Sequence, residues 1–114
     1  MKNLLFICTS NMDRSPKAEE LFKDNPNYEA KSCGLSPVEH GTKVSKELLD
    51  WANIIFCMEH EHKQFIIDNF DVDVNKIVVL NIPNTYAFGD PKLEELLRIK
   101  LKEWLKNAIK KEED

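Results

Sequence analysis

No stretch of this sequence is apolar for long enough to cross a membrane. Its cleanest apolar runs, residues 4–8, 54–58 and 77–80, fall far short of the ~18 residues a span requires. Residues 1–3 lead straight into the first of these runs, and a charged loop follows without a small-residue cleavage site. The segment is therefore expected to be a core strand rather than a signal peptide. Cysteine is scarce: Cys8, Cys33 and Cys57 are the only three, an odd number with no C-x-x-C pair. This excludes a secreted disulfide framework and points to a reducing, cytoplasmic setting. Positive charge is not in excess either, with 16 Lys and Arg against 20 Asp and Glu and a formal charge of −4. Such a balance argues against sequence-blind nucleic-acid binding, which needs many phosphate-neutralising cations. No repeat, low-complexity tract or linker interrupts the chain, so residues 1–114 are expected to form a single domain.

What is present is a regular alternation of strand and helix signals. Residues 3–8 are apolar apart from Asn3, as a strand covered on both faces should be. Residues 15–24 follow with helical spacing, Ala18, Leu21 and Phe22 falling on one face, and Asn25-Pro26-Asn27 stops them. Residues 28–33 read as a second strand ended by Gly34, and residues 35–43 as a loop. Ser45 is a good N-cap for a short helix through Leu48, Leu49 and Ala52. A third strand at 54–58, a helix at 59–70 and a fourth strand at 76–80 come next. After a loop at 81–89, Asp90-Pro91 opens the last helix, with Leu93, Leu97, Leu101, Trp104 and Ala108 as its apolar stripe and residues 110–114 as a charged, frayed end. This order implies an α/β fold, a parallel sheet with helices on both faces, whose ligand lies beyond the carboxyl ends of the strands.

The loop after the first strand reads Cys8-Thr9-Ser10-Asn11-Met12-Asp13-Arg14-Ser15-Pro16. A loop that winds into a helix start aims several backbone N–H groups inward, and the helix dipole adds positive character. Such a nest binds a tetrahedral oxyanion and favours the nucleophilic thiolate of Cys8. Arg14 can grip two oxygens of that anion in a bidentate fashion, and the Ser15 hydroxyl is placed to donate to the Cys8 sulfur.

The segment Leu5-Phe6-Ile7-Cys8-Thr9-Ser10-Asn11-Met12-Asp13-Arg14-Ser15-Pro16-Lys17-Ala18-Glu19 resembles the active-site segment of the low-molecular-weight protein tyrosine phosphatases, in a compact branch of that family. The resemblance continues in order through residues 32–37, 51–59 and 82–93 and covers most of the chain. It implies a four-stranded parallel sheet of order 2-1-3-4 in a three-layer sandwich, and phosphomonoester hydrolysis through a phosphocysteine. Cys8 would be the nucleophile, Arg14 and the amides from Thr9 through Ser10, Asn11, Met12 and Asp13 to Ser15 would hold the phosphoryl group, and Asn11 would fix the loop's shape. No metal or other cofactor is expected, because nest and arginine supply the charge stabilisation. The partners implied are a phosphorylated protein or small aryl phosphate, and inorganic phosphate or other oxyanions; neither nucleic acid nor membrane is expected.

Three departures from the family pattern are legible. Asp13 stands where the larger enzymes carry a second cysteine, and is expected to face solvent or cap the helix start. The family's Asp-Pro-Tyr general acid falls near Asn84 or Thr85, neither of which is a carboxylic acid, leaving Asp90 either as a displaced general acid or as a plain N-cap. The loop at 34–44 is short, and Tyr86 and Phe88 are candidates to stack on an aryl group or simply to pack their loop. Residues 11–13 also resemble the polymerase C-terminal-domain phosphatases of this fold, which keeps phosphoserine open. His60 and His62, two residues apart, diverge on a helix and make a poor metal pair; they are expected on an exposed polar helix start. His40 is expected at the surface. Cys33 and Cys57 end the strands flanking the first, so either could meet Cys8 in a reversible disulfide, although buried thiols are usually inert. Competing functions are a non-hydrolysing oxyanion-binding module, an arsenate reductase, which would need two further shuttling cysteines, and a phosphocysteine carrier, which would need no fixed arginine.

Overall fold

A computed structural model describes the backbone of residues 1–113 and the side chains of residues 1–105. Its four strands are β1 (Lys2–Cys8), β2 (Tyr28–Gly34), β3 (Ile54–Cys57) and β4 (Ile77–Val79). They form one parallel sheet in the order β2-β1-β3-β4. The helices are α1 (Arg14–Leu21), α2 (Lys46–Trp51), α3 (His60–Asn69) and α4 (Pro91–Glu113), with a single 3-10 turn at Val74–Lys76 leading into β4. The sheet order and layering agree with expectation. β1 is central, and Leu4 through Cys8 are all buried because helices cover both faces.

The pleat divides the core in two. Leu4, Phe6 and Cys8 face α1 and α4, packing with Ala18, Phe22, Phe56, Leu93, Leu97 and Leu101. Phe6 stacks between Phe22 and Phe56 at centroid distances of 5.8 and 5.3 Å. Leu5 and Ile7 face the other way, toward α2 and α3, with Cys33, Leu49, Ile55, Cys57 and Ile66. Ile7 pairs with Cys33 on one side and with Cys57 on the other. Both of these thiols therefore lie on the Ile7 face, opposite Cys8, and the disulfide considered from strand order alone has no geometry to support it. Burial pushes both thiols up to about 12.

Element ends differ from the sequence reading in ways that have local causes. Helix α1 begins one residue earlier, at Arg14, and β2 extends through Gly34. Strand β4 is only three residues because Asp73 caps the 3-10 turn before it, accepting from Asn75 N at 2.9 Å. Ser45 does cap α2, accepting from Leu48 N at 3.3 Å, and Lys76 Nζ closes the other end on the carbonyls of Leu49 and Ala52. In α4 the apolar stripe is Leu93, Leu97, Leu101 and Leu105. Trp104 is 56% exposed, and Leu105, with non-helical φ and ψ of −120° and 23°, turns inward in its place. The expectations for Ala108 and for residues 110–114 lie outside the described side chains.

Candidate functional site

Residues 9–13 carry the chain from the end of β1 to the start of α1, and the segment following β2 wraps them from outside. Leu35 N donates to Cys8 O at 3.2 Å, Ser36 N to Thr9 O at 2.9 Å and Val38 N to Ser10 O at 3.1 Å. Asn11 takes the left-handed conformation, φ 54°, which an asparagine tolerates better than most residues. Its side chain makes that turn rigid: Nδ2 donates to Ser15 Oγ and Ser32 Oγ, both at 3.0 Å, while Oδ1 accepts from Thr42 N at 2.8 Å. Ser32 in turn donates to Glu19 Oε1 at 2.7 Å. Among the described residues, the backbone N–H groups of residues 10–13 meet no acceptor within the protein, the condition for an anion-binding nest.

The wrapping requires Gly34 to lack a side chain. A Cβ there would stand 2.8 Å from both Asn11 N and Thr9 O, which are backbone atoms with nowhere to go. Gly34→Ala is expected to displace the loop, destabilising the fold by about 1–3 kcal/mol as overpacking does. Thermal unfolding and anion affinity should fall together, and an unchanged anion affinity would refute the close-approach argument.

Cys8 Sγ lies 3.0 Å from Ser15 Oγ, and Ser15 Oγ also donates to Cys33 O at 3.3 Å. Arg14 is 2% exposed. Its Nη1 ion-pairs with Glu59 Oε1 and donates to Ile82 O at 2.7 Å, so both the start of α3 and the segment after β4 hold the guanidinium. Met12 projects from the loop, 53% exposed.

Asp13 corrects an expectation. It occupies the N-cap position of α1, but with φ −118° and ψ −67° its carboxylate accepts nothing from the helix start. Instead Oδ1 accepts from Phe88 N at 2.9 Å. The half-exposed carboxylate thus bonds to the 81–89 loop rather than capping the helix. Phe88 is fastened a second time, its ring lying 4.2 Å from Lys17 Nζ. Tyr86 packs against the α1–α4 core, and Asn84 and Thr85 are exposed. Asp90 Oδ1 accepts from Lys92 N at 2.9 Å, which is N-cap geometry.

His62 was expected on an exposed polar surface and is fully buried. The turn from β3 into α3 is tight enough that Glu59 N donates to His62 Nδ1 at 2.9 Å, swinging the ring inward, where Nε2 lies 2.9 Å from Thr9 Oγ1. His60 stays exposed, as does His40. Glu59, Glu61 and His62 bring donor atoms within 4.8 Å of one another, the one such group among the described residues. Both ring nitrogens of His62 and the Glu59 carboxylate are already engaged. Burial, then the Arg14 charge, lowers His62 from 6.5 to about 4, with Glu59 opposing. In the unfolded chain the ring takes its proton near 6.5, and in the folded chain only near 4, so folding loses free energy as pH falls through that window and is unaffected above it. Replacing His62 by Gln removes this loss. The wild type should therefore lose melting temperature relative to the variant from pH 7 to pH 4.5, as scanning fluorimetry would register, and a pH-independent difference would refute it.

The fold recurs in proteins already known. No family model matches the chain. A curated protein-arginine-phosphatase of Bacillus subtilis (strain 168) is 27% identical, covering 77% of this chain and 76% of its own. The YwlE arginine phosphatase from Geobacillus stearothermophilus superposes with a TM-score of 0.72 at 26% identity, covering 94% of each chain. A low molecular weight protein tyrosine phosphatase from Bacillus subtilis does so with a TM-score of 0.69 at 26% identity, over 92% of this chain and 97% of that one.

Proposed function

We propose that the chain is a metal-independent, cysteine-dependent phosphomonoester hydrolase of the low-molecular-weight protein tyrosine phosphatase type, with Cys8 as its nucleophile and residues 9–15 as its phosphate cradle. The observation that carries this is the Cys8–Ser15 contact at 3.0 Å beside a buried, doubly held Arg14. Cys8 Sγ attacks phosphorus and the ester P–O bond breaks. Arg14 and the amides of residues 10–15 take up the charge on the three equatorial oxygens. Water then attacks the phosphocysteine, the S–P bond breaks, and inorganic phosphate leaves with the thiolate restored. Ser15, free to swing its hydroxyl hydrogen from Cys33 O to Sγ, stabilises the sulfur in both steps.

The leaving oxygen decides the substrate class. Asn84 and Thr85 offer no carboxylic acid, Asp90 is spent on the α4 start and Asp13 on Phe88. A site without a committed acid handles phenoxide far better than alkoxide, so phosphotyrosine or another aryl phosphate is preferred over phosphoserine. Phosphoarginine is the second reading. Two of the three similar proteins named above are arginine phosphatases, and a phosphoguanidinium already carries a proton on its leaving nitrogens.

The test is turnover of an aryl phosphate, a phosphoarginine peptide and a phosphoserine peptide by wild type and Asp90→Asn between pH 5 and 7. The aryl ester is expected to turn over and phosphoserine to lag by at least about tenfold. Asp90→Asn should keep both the melting temperature and the basic limb of the pH–rate profile, since asparagine caps as well as aspartate. Loss of that limb would make Asp90 the general acid, and no turnover of any substrate would overturn the reading.

A further inference from the structure

We infer that His62 is a positioning residue of the phosphate loop, holding Thr9 as a hydrogen-bond donor to the bound substrate and anchoring, through Glu59, the far end of the same loop. The inference rests on the phosphatase reading above. It starts from proton counting. Nδ1 of His62 accepts the backbone N–H of Glu59 at 2.9 Å and so carries no hydrogen of its own. The ring hydrogen is on Nε2 and is donated to Thr9 Oγ1, 2.9 Å away. A hydroxyl that accepts from histidine keeps its single hydrogen for another acceptor. Thr9 is exposed, one residue beyond Cys8, and among the described residues no protein group takes that hydrogen. An oxygen of the incoming phosphoryl group or of the leaving group is the acceptor this arrangement awaits.

The same turn controls the other end of the loop. Glu59, whose backbone His62 captures, holds Arg14 Nη1 with its side chain. One residue pair at the β3–α3 turn thus fixes both Thr9 and Arg14 before any ligand arrives, and such preorganisation is worth most where charge develops in the transition state. The charged groups around the ring are Arg14 from α1, Glu59, and Glu61, whose Oε1 lies 4.0 Å from Nε2. The ring must be neutral for this role, because an imidazolium would set a second N–H against that of Glu59.

Two conservative replacements separate the two ring nitrogens. In His62→Asn the short amide keeps an acceptor for Glu59 N–H and loses reach to Thr9. In His62→Gln the longer amide reaches Thr9 as a donor. His62→Asn is expected to lower kcat/KM for an aryl phosphate by about tenfold, the scale of one lost hydrogen bond, and to weaken vanadate inhibition similarly, with the melting temperature at pH 7 nearly unchanged. His62→Gln should recover most of the loss. Thr9→Val should match His62→Asn, and the double variant should be no worse than either single one. Nitrogen-15 spectra of the imidazole should show Nε2 protonated. Wild-type kcat/KM and vanadate inhibition in His62→Asn, multiplicative losses in the double variant, or a proton on Nδ1 would each overturn the inference alone. A wild-type chain that neither binds vanadate nor turns over substrate would overturn the phosphatase reading with it.

Discussion

Cys8→Ser is expected to lose at least about 10³-fold in aryl phosphate turnover while keeping its melting temperature and its affinity for inorganic phosphate. The two effects separate because the loop does two jobs with different atoms. In the proposed mechanism binding falls to the N–H groups of residues 10–13 and to Arg14, none of which touches the sulfur. Bond formation is there assigned to Sγ, and a serine hydroxyl is a far poorer nucleophile than a cysteine sulfur beside a hydroxyl donor. The substitution shortens one side chain slightly in a closely packed core, so folding should survive it. Titration calorimetry with phosphate and steady-state kinetics measure the two quantities. Residual turnover above a few per cent would mean that the nucleophile lies elsewhere, since no second thiol shares the Cys8 face.

The second large effect concerns Arg14→Lys, a replacement that keeps the charge. The guanidinium is buried, and one of its nitrogens already serves Glu59 and the Ile82 carbonyl. The remaining nitrogens are thereby held in a plane and can meet two phosphoryl oxygens at once. A lysine ammonium can satisfy the structural partners or the substrate, as a point charge, but not both with the same geometry. We expect kcat to fall by about 10²–10³-fold, the usual loss when a preorganised oxyanion contact is removed. The phosphate dissociation constant should rise in parallel. A variant within tenfold of wild type would show that the loop amides alone carry the charge.

The segments with the strongest patterns were readable from the sequence for physical reasons. An unbroken apolar run followed by a polar loop and a helix start can hardly be other than a central parallel strand feeding an anion nest, and Cys8, Arg14 and Ser15 sit where that logic puts them. His62 escaped because the test applied to it was one of metal-ligand spacing. That two histidines two apart diverge on a helix is correct, but divergence also means that one of them can point inward, and the signal was a glutamate three residues before it at the helix entry. Asp13 escaped for a different reason. Its partner, Phe88, is 75 residues away, and no local rule sees a contact that exists only once β4 has been laid beside β3. Trp104 and Leu105 were exchanged because a stripe extrapolated at helical period fails where the helix itself departs from helical angles.

The division of the cysteines between the two faces of the sheet has a consequence for peroxide exposure. A nucleophilic thiol is the first to be oxidised, and its sulfenic acid is rescued when a neighbouring thiol condenses with it. Asp13 occupies the position next to Arg14 that a resolving cysteine could take, and Cys33 and Cys57 lie across the β1 backbone with their protons held tightly. A sulfenate at Cys8 therefore waits for a small thiol to enter from solvent through the same mouth that admits substrate. On the proposed mechanism a phosphate held by the loop would shield the sulfur from oxidant and rescuer alike. If Cys8 is the nucleophile proposed above, occupancy by product would shield its sulfur, and an idle molecule would advance toward the irreversible sulfinic acid faster than a working one.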